Sequence, residues 1–184
     1  FVLKGYNSPE AIQTDYKDLT PEQAKMYFDG MTNLVSQIKT EHGEDVILKP
    51  EFIIVDNEKK LTGTIDLLAI DNKGKLHIYD YKTSFKPIAD WKQVKKNSVD
   101  YQLTTYKQIL LRQGFYVGKT KYVPVHILEY DPSKDVVGSF KMEPLMDSTQ
   151  SSTGNVNYKV NYVLPFKFTP KTDFIVGNKP VSEF

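Results

Sequence analysis

Residues 60–82 constrain this chain more than any other stretch. Two apolar runs, 60–70 and 75–82, flank Asp71-Asn72-Lys73-Gly74, a pattern of strand, tight turn and strand. A three-residue loop over 72–74 with Gly74 in the left-handed conformation is a common hairpin connection, and it explains why glycine stands last. Asp71 then faces Lys75, and the register continues through Ile70 with Leu76, Leu68 with Ile78, Asp66 with Asp80 and Thr64 with Lys82. One face of the hairpin is therefore aliphatic near the turn and carries two carboxylates and an ammonium farther along. A slip of one residue would send Asp66 and Asp80 to opposite faces.

Two aspartates directly opposite each other have Cβ atoms roughly 4.5–5.5 Å apart, and like charges there destabilise a sheet. The arrangement is tolerated when positive charge lies between the carboxylates. Lys82, two residues after Asp80, points to the same face. A hard divalent cation with oxygen ligands is the other compensator. Two carboxylates, a metal ion and a lysine can run phosphodiester hydrolysis. The ion polarises a phosphoryl oxygen and acidifies a bound water, while the lysine helps hold that water and offsets developing charge. The plainer alternative is a half-exposed hairpin with solvated aspartates and Lys82 as their surface partner, since short motifs recur by chance. Against it, Asp66 sits among Ile65, Leu67 and Leu68, and Asp80 follows Leu76, His77, Ile78 and Tyr79. Charges embedded in such apolar strands are rarely decorative.

Gly63-Thr64-Ile65-Asp66-Leu67-Leu68, followed by Ile78-Tyr79-Asp80-Tyr81-Lys82-Thr83-Ser84, resembles the signature of RecB-type nucleases in the PD-(D/E)XK superfamily. Gln102-Leu103-Thr104-Thr105-Tyr106 is similar to that family's Gln-x-x-x-Tyr motif on the next helix. The resemblance spans about residues 50–113. It implies an α/β fold with a central mixed β-sheet flanked by helices, a restriction-endonuclease-like core. It also implies a divalent metal, Mg²⁺ or Mn²⁺, held by Asp66, Asp80 and the backbone carbonyl of Tyr81. Lys82 would be the catalytic lysine, and Gln102 and Tyr106 would border the substrate. Members often carry a further acidic residue on the strand before the hairpin. Glu51 in Pro50-Glu51-Phe52 is the candidate, with an exposed strand glutamate as its other reading. Many members also place a metal-binding histidine on the first helix. Residues 30–38 contain none, and Asn33 is the residue expected in that place.

Residues 1–18 have no clear period and are expected to be irregular. Thr20-Pro21-Glu22-Gln23 is a helix start, with Thr20 as cap, Pro21 in the first helical position and Gln23 closing a capping box. That helix should run to about residue 39 or 40, with Met31, Leu34 and Ile38 on its apolar side and Gly43 just past its end. Residues 46–55 read as β-rich, with Pro50 marking an edge or bulge. A second helix is expected over 98–113, a strand over 122–130, a Ser/Thr-rich loop over 147–157 and strand character again over 158–168. Gln102 and Tyr106 lie four apart and share one helix face. His77 and His126 read as structural histidines. Residues 86–96 hold Lys86, Lys92, Lys95, Lys96 and the single tryptophan, Trp91. A cationic loop with an aromatic suits phosphate contact and base stacking; a solvated charged loop is the even alternative.

At 184 residues the chain fits a single domain, expected as a nuclease-like core over about 20–131 with a C-terminal extension over about 132–184. A net charge of +1 argues against a globally basic nucleic-acid binder, so contact must come from a local patch. The absence of cysteine excludes disulfides and thiolate metal sites and is compatible with the cytoplasmic location expected. No apolar run approaches the ~18 residues that span a bilayer, and no membrane partner is expected. With Phe1 in place of Met, a processed or excised piece is expected, with a longer polypeptide as one source. The expected function is that of a metal-dependent DNA nuclease. It would be an exonuclease or a nuclease domain, with DNA and other parts of a DNA-processing machine as partners. The rival is a catalytically weakened nuclease-fold module with a structural or nucleic-acid-binding role. The missing helix histidine keeps it alive, and the intact Asp66, Asp80 and Lys82 oppose it.

Overall fold

The computed structural model describes residues 6–148 and two short strands, Ile175–Val176 and Lys179–Pro180, that pair with each other. The strand expected over 158–168 and all but the start of the loop expected over 147–157 lie outside the described residues. Among those described, no helix is long and apolar enough to cross a membrane.

Two helices come first. α1 (Pro9–Asp15) replaces the irregular lead-in expected from the sequence. Ser8 caps it by accepting from the Ala11 N–H at 3.3 Å, and Pro9 opens its first turn. At seven residues it is too short for a helical period to show, and it is held by Ile12, fully buried against Leu19 and Ala24. α2 (Pro21–His42) starts as expected. The Thr20 hydroxyl accepts from the Gln23 N–H, the Gln23 side chain accepts from the Thr20 N–H, and the helix ends at Gly43 with φ 103°.

The sheet follows: β1 (Ile47–Asp56), β2 (Leu61–Ile70) and β3 (Leu76–Ser84), then α3 (Gln93–Arg112), then β4 (Val117–Asp131), β5 (Val136–Met142) and β6 (Met146–Asp147). The strand order is β1-β2-β3-β4-β5, with β6 also paired to β4. Every pairing is antiparallel except β3 with β4, which is parallel and is connected through α3. This is a mixed α/β sheet, the class the sequence implies. α3 begins five residues earlier than expected. Its cap, Lys92, makes no side-chain hydrogen bond, so the usual sequence mark of a helix start is missing.

Each face of the sheet carries one long helix. On one side Leu103, Ile109 and Leu110 of α3 pack on Ile54, Leu68, Ile70, Leu76 and Ile78. On the other, Leu34 and Ile38 of α2 pack on Leu67, Ala69, Tyr79 and Val123. Strand alternation explains this sorting, with one exception. Ile65 and Leu67 are two residues apart yet lie on opposite faces, and so do Leu48 and Phe52 although four apart. Both strands turn over at the same place. The β1–β2 register steps from Pro50 with Leu67 to Phe52 with Ile65, leaving Glu51 opposite Asp66 without ladder pairing, and Glu51 takes φ 48°. A glutamate in the left-handed region is strained backbone of the kind that gathers at functional sites.

Candidate active site

The β2–β3 hairpin has the turn and register expected. The Asp71 N–H donates to the Lys75 carbonyl at 3.1 Å, and Gly74 adopts φ 75°. Ile70 faces Leu76, Leu68 faces Ile78 and Leu67 faces Tyr79. There the ladder stops, one step short of Asp66 and Asp80. From that point β2 keeps β1 as its partner, and β3 keeps β4, with Asp80 paired to Tyr122. The Asp66 carboxylate takes up what the parting strands leave open: it accepts from the Tyr81 backbone N–H at 2.7 Å. The direct opposition of Thr64 and Lys82 expected from the sequence is absent from the ladder for the same reason.

The two carboxyls still come close enough for each to act on the other's titration. Asp80 is 1% exposed and Asp66 half-buried. Burial raises the Asp66 pKa, the Asp80 charge raises it further, and the Tyr81 N–H and Lys82 oppose the shift. Burial likewise raises the Asp80 pKa, against the pull of Lys82 and of the neighbouring Asp66 carboxyl. The physical result is a pair that retains a proton between them above the ordinary carboxylate range. The Lys82 ammonium is ion-paired with Asp80 Oδ2, a buried oxygen that makes no other polar contact among the described residues. Two carboxyls brought together out of water, one with an ammonium beside it, are a donor set that suits a hard divalent cation.

α3 delivers the Gln102 and Tyr106 pair to this place. The Gln102 amide donates to the Tyr106 hydroxyl at 2.8 Å. Burial raises the Tyr106 pKa, and the Asp80 and Asp66 charges add to it, so its hydroxyl stays protonated within their field. Gly63 makes the approach possible: a methyl group there would collide with the Tyr106 ring. The glycine of the sequence signature is thus a packing requirement.

On the opposite side of the hairpin, Asp66, Glu51 and Tyr81 line a cavity of about 340 Å³ walled by α2, β4 and β5. Glu51 therefore comes to the same region as Asp66, although no three His, Asp or Glu side chains gather around a single point among the described residues. Asn33, expected where relatives place a histidine, is exposed and hydrogen-bonds Gln37 at 3.2 Å. The α2 residues that face the cavity are Tyr27, Gly30, Met31 and Leu34, so α2 offers no ligand there. His42 is remote, bound to the Tyr79 hydroxyl at 2.7 Å and stacked on His77 at 3.7 Å. His77 in turn accepts from the Lys119 N–H and contacts Asp71, the structural role expected of it.

The lysine segment divides. Trp91 is not free to stack on a base: it is 6% exposed, stacked on Tyr122 at 6.1 Å, and its Nε1 donates to the Lys86 carbonyl at 3.1 Å. Burial of its large ring outweighs any use at the surface. Lys95 places its Nζ over the indole ring, 3.8 Å from the centroid. Burial lowers the Lys95 pKa, and the Lys82 charge lowers it further, which puts Lys95 within electrostatic reach of Lys82. Lys86 and Lys92 are exposed and Lys96 is half-buried. Neither the place of Lys95 over the Trp91 ring nor the cavity under α2 carries a distinct mark in the sequence.

The model of the PD-(D/E)XK nuclease superfamily matches residues 7–157. No curated protein matches the chain. Among solved structures, the crystal structure of SSO0001 is similar with a TM-score of 0.35 and 14% identity over 76% of this chain. This chain spans 61% of that one. The family match covers both strands of the hairpin, the lysine beside the carboxylates and the Gln102–Tyr106 helix, and with it the chain belongs to the PD-(D/E)XK nuclease superfamily.

Proposed function

We propose that the chain is a metal-dependent deoxyribonuclease of the RecB type, an exonuclease or the nuclease domain of a larger DNA-processing protein. The observation that carries this reading is the Asp66–Asp80 pair, Asp80 buried and Asp66 half-buried, with the Lys82 ammonium against it. Burying two carboxyls face to face costs stability unless charge is brought between them. A divalent ion, Mg²⁺ or Mn²⁺, held by Asp66, Asp80 and the Tyr81 carbonyl with Glu51 at its margin, would polarise the phosphoryl oxygen and acidify a bound water. Lys82 holds the attacking water and offsets charge on the phosphate. Gln102 and Tyr106, coupled by their hydrogen bond, donate to the scissile group from the α3 side and fix its position. Lys86, Lys92, Lys95 and Lys96 follow the nucleic-acid backbone, with Lys95 nearest the chemistry.

The test is digestion of end-labelled single- and double-stranded DNA with Mg²⁺, Mn²⁺ or chelator. Wild type should cut only with metal, Asp80→Ala should lose both metal binding and cleavage, and Lys82→Ala should keep the metal and lose rate. Cleavage by Asp80→Ala at the wild-type rate would falsify the assignment. A second reading, a weakened nuclease-fold module that binds nucleic acid without cutting it, is favoured by one observation: α2 brings Gly30 and Met31 rather than a ligand to the cavity beside Asp66. Metal-independent DNA binding with no cleavage in either metal would select it.

A further inference from the structure

The cavity beneath α2 is continuous with the carboxylate site, since Asp66 and Tyr81 form part of its wall. Its remaining wall is apolar and partly aromatic, with Tyr27, Met31, Val125, Phe140 and Met142 prominent. Among the described residues its only charged lining side chains are Glu51 and Asp66, both acidic, with no lysine or arginine. A phosphate is repelled by such a pocket, whereas Lys82 and Lys95 offer it a place on the α3 side of the hairpin. One polar group in the wall is unspent: the Tyr81 hydroxyl is buried and makes no hydrogen bond. A buried hydroxyl without a partner costs free energy that a ligand can return. The occupant that suits this wall is uncharged and flat-faced, with a polar edge for Tyr81 and a covalent link to a phosphate lying across the hairpin. At about 340 Å³ the space is at the small end of the ~300–1,000 Å³ range of ligand pockets, room for one heterocycle and not for a base pair. Gly30 shapes it. A Cβ there would stand 3.1 Å from Met142 Sδ and 3.4 Å from the Phe140 ring, so any larger residue intrudes between α2 and β5.

We infer that this cavity is a base-binding subsite that takes one unpaired nucleobase adjoining the phosphodiester to be cut. The preferred substrate is then single-stranded DNA, or a duplex end that has frayed, because a base inside a stack cannot enter. The inference rests on the nuclease reading for the position of the phosphate, and is argued from the apolar wall of a cavity that shares Glu51, Asp66 and Tyr81 with the proposed metal site. It is tested with single-stranded oligonucleotides carrying one abasic residue at successive positions, read as kcat/KM with Mn²⁺ and as fluorescence-anisotropy affinity without metal. One position next to the cut should lose about 5- to 150-fold, the effect of a single base–aromatic stack. Gly30→Leu, a helix-favouring change that fills the cavity, should bring the intact substrate down to the abasic one and leave the abasic one unchanged. Phe140→Ala, which widens the cavity instead, should weaken the same position only. A flat abasic scan with normal metal-dependent cleavage overturns the subsite and leaves the nuclease reading standing. If no substrate is cut in any metal, that reading falls, and the anisotropy scan decides the subsite alone: a position-specific loss that Gly30→Leu abolishes supports it, and a flat scan rejects it.

Discussion

Replacing Gly63 with alanine adds one methyl group at a strand position where the Tyr106 ring already lies. Tyr106 Cζ and Cδ1 would stand 3.1 and 3.2 Å from the new carbon, with Cε1 closer still, against an ordinary carbon–carbon contact of ~3.5–4.0 Å. The ring must therefore retreat by roughly 1 Å, or β2 must shift toward α2. Such overpacking costs about 1–3 kcal/mol. For a chain of this length each kcal/mol moves the melting temperature by about 2–4 °C, so Gly63→Ala should melt roughly 2–12 °C lower than wild type. Retreat of the ring also carries the Gln102 bond away from the carboxylates, and a displacement near 1 Å in a positioning group costs on the order of 100-fold in rate. The assay is a double-mutant cycle by thermal or urea melts. Tyr106→Ala removes the collision, so adding Gly63→Ala to it should cost close to nothing beyond the strand's own preference. A coupling of about 1–3 kcal/mol is expected between the two positions. Strict additivity would refute the reasoning, because it would mean that the glycine is required for something other than room for the ring.

The carboxyl pair makes a prediction about pH. Its raised pKa values mean that the folded chain binds more protons than the unfolded chain between the ordinary carboxylate pKa and the raised ones, so metal-free stability falls as pH rises through that window. In chelator Asp66→Asn should flatten this fall relative to wild type, measured as the difference between paired melts. Added Mg²⁺ at a hundredfold excess over Kd should stabilise wild type by about 2.7 kcal/mol and the variant by much less; equal responses would mean that the carboxyls do not share an ion. Trp91→Ala should cost about 3–5 kcal/mol, as for a buried aromatic, whereas a base-stacking tryptophan would lose binding and keep its stability. Replacing Lys86, Lys92, Lys95 and Lys96 with alanine should flatten the dependence of log K on log salt by about 0.7 for each true contact on single-stranded DNA and about 0.9 on duplex. An unchanged slope would assign them to solvent.

The hairpin was legible because its information is local. A glycine that must take positive φ, a period of two and a short loop fix the register without help from the rest of the chain, and Leu67 with Tyr79 follows from Gly74 alone. The end of that ladder was not legible, because it depends on which neighbour each strand prefers. β2 follows β1 and β3 follows β4 beyond Leu67, and both competing partners lie elsewhere in the sequence. Capping chemistry exposed the start of α2 at Thr20, while the uncapped start of α3 at Gln93 left no such mark. The place of Trp91 is hidden for a related reason. The segment around it in sequence is rich in lysine, but its neighbours in space are the Tyr122 ring and the Lys95 ammonium. The cavity under α2 is assembled from several separate elements, and no single stretch of sequence carries its outline.

The early end of the β2–β3 ladder gives the site a mechanical character. Asp66 and Asp80 sit on the two free prongs of a fork, joined at Leu67 and Tyr79 and braced on the outside by β1 and β4. In a continuous ladder the gap between facing carboxyls is set by backbone hydrogen bonds and yields little. In a fork it opens or narrows by bending one residue beyond the last bridge, and the Asp66 link to the Tyr81 N–H acts as the return spring. Under the metal-dependent reading, Mg²⁺ would need oxygen ligands at about 2.0–2.1 Å and Ca²⁺ at about 2.3–2.6 Å. A fork would adjust to either more readily than a closed ladder. Discrimination between ions then falls to coordination number and to how readily each gives up its water, rather than to the width of the cleft.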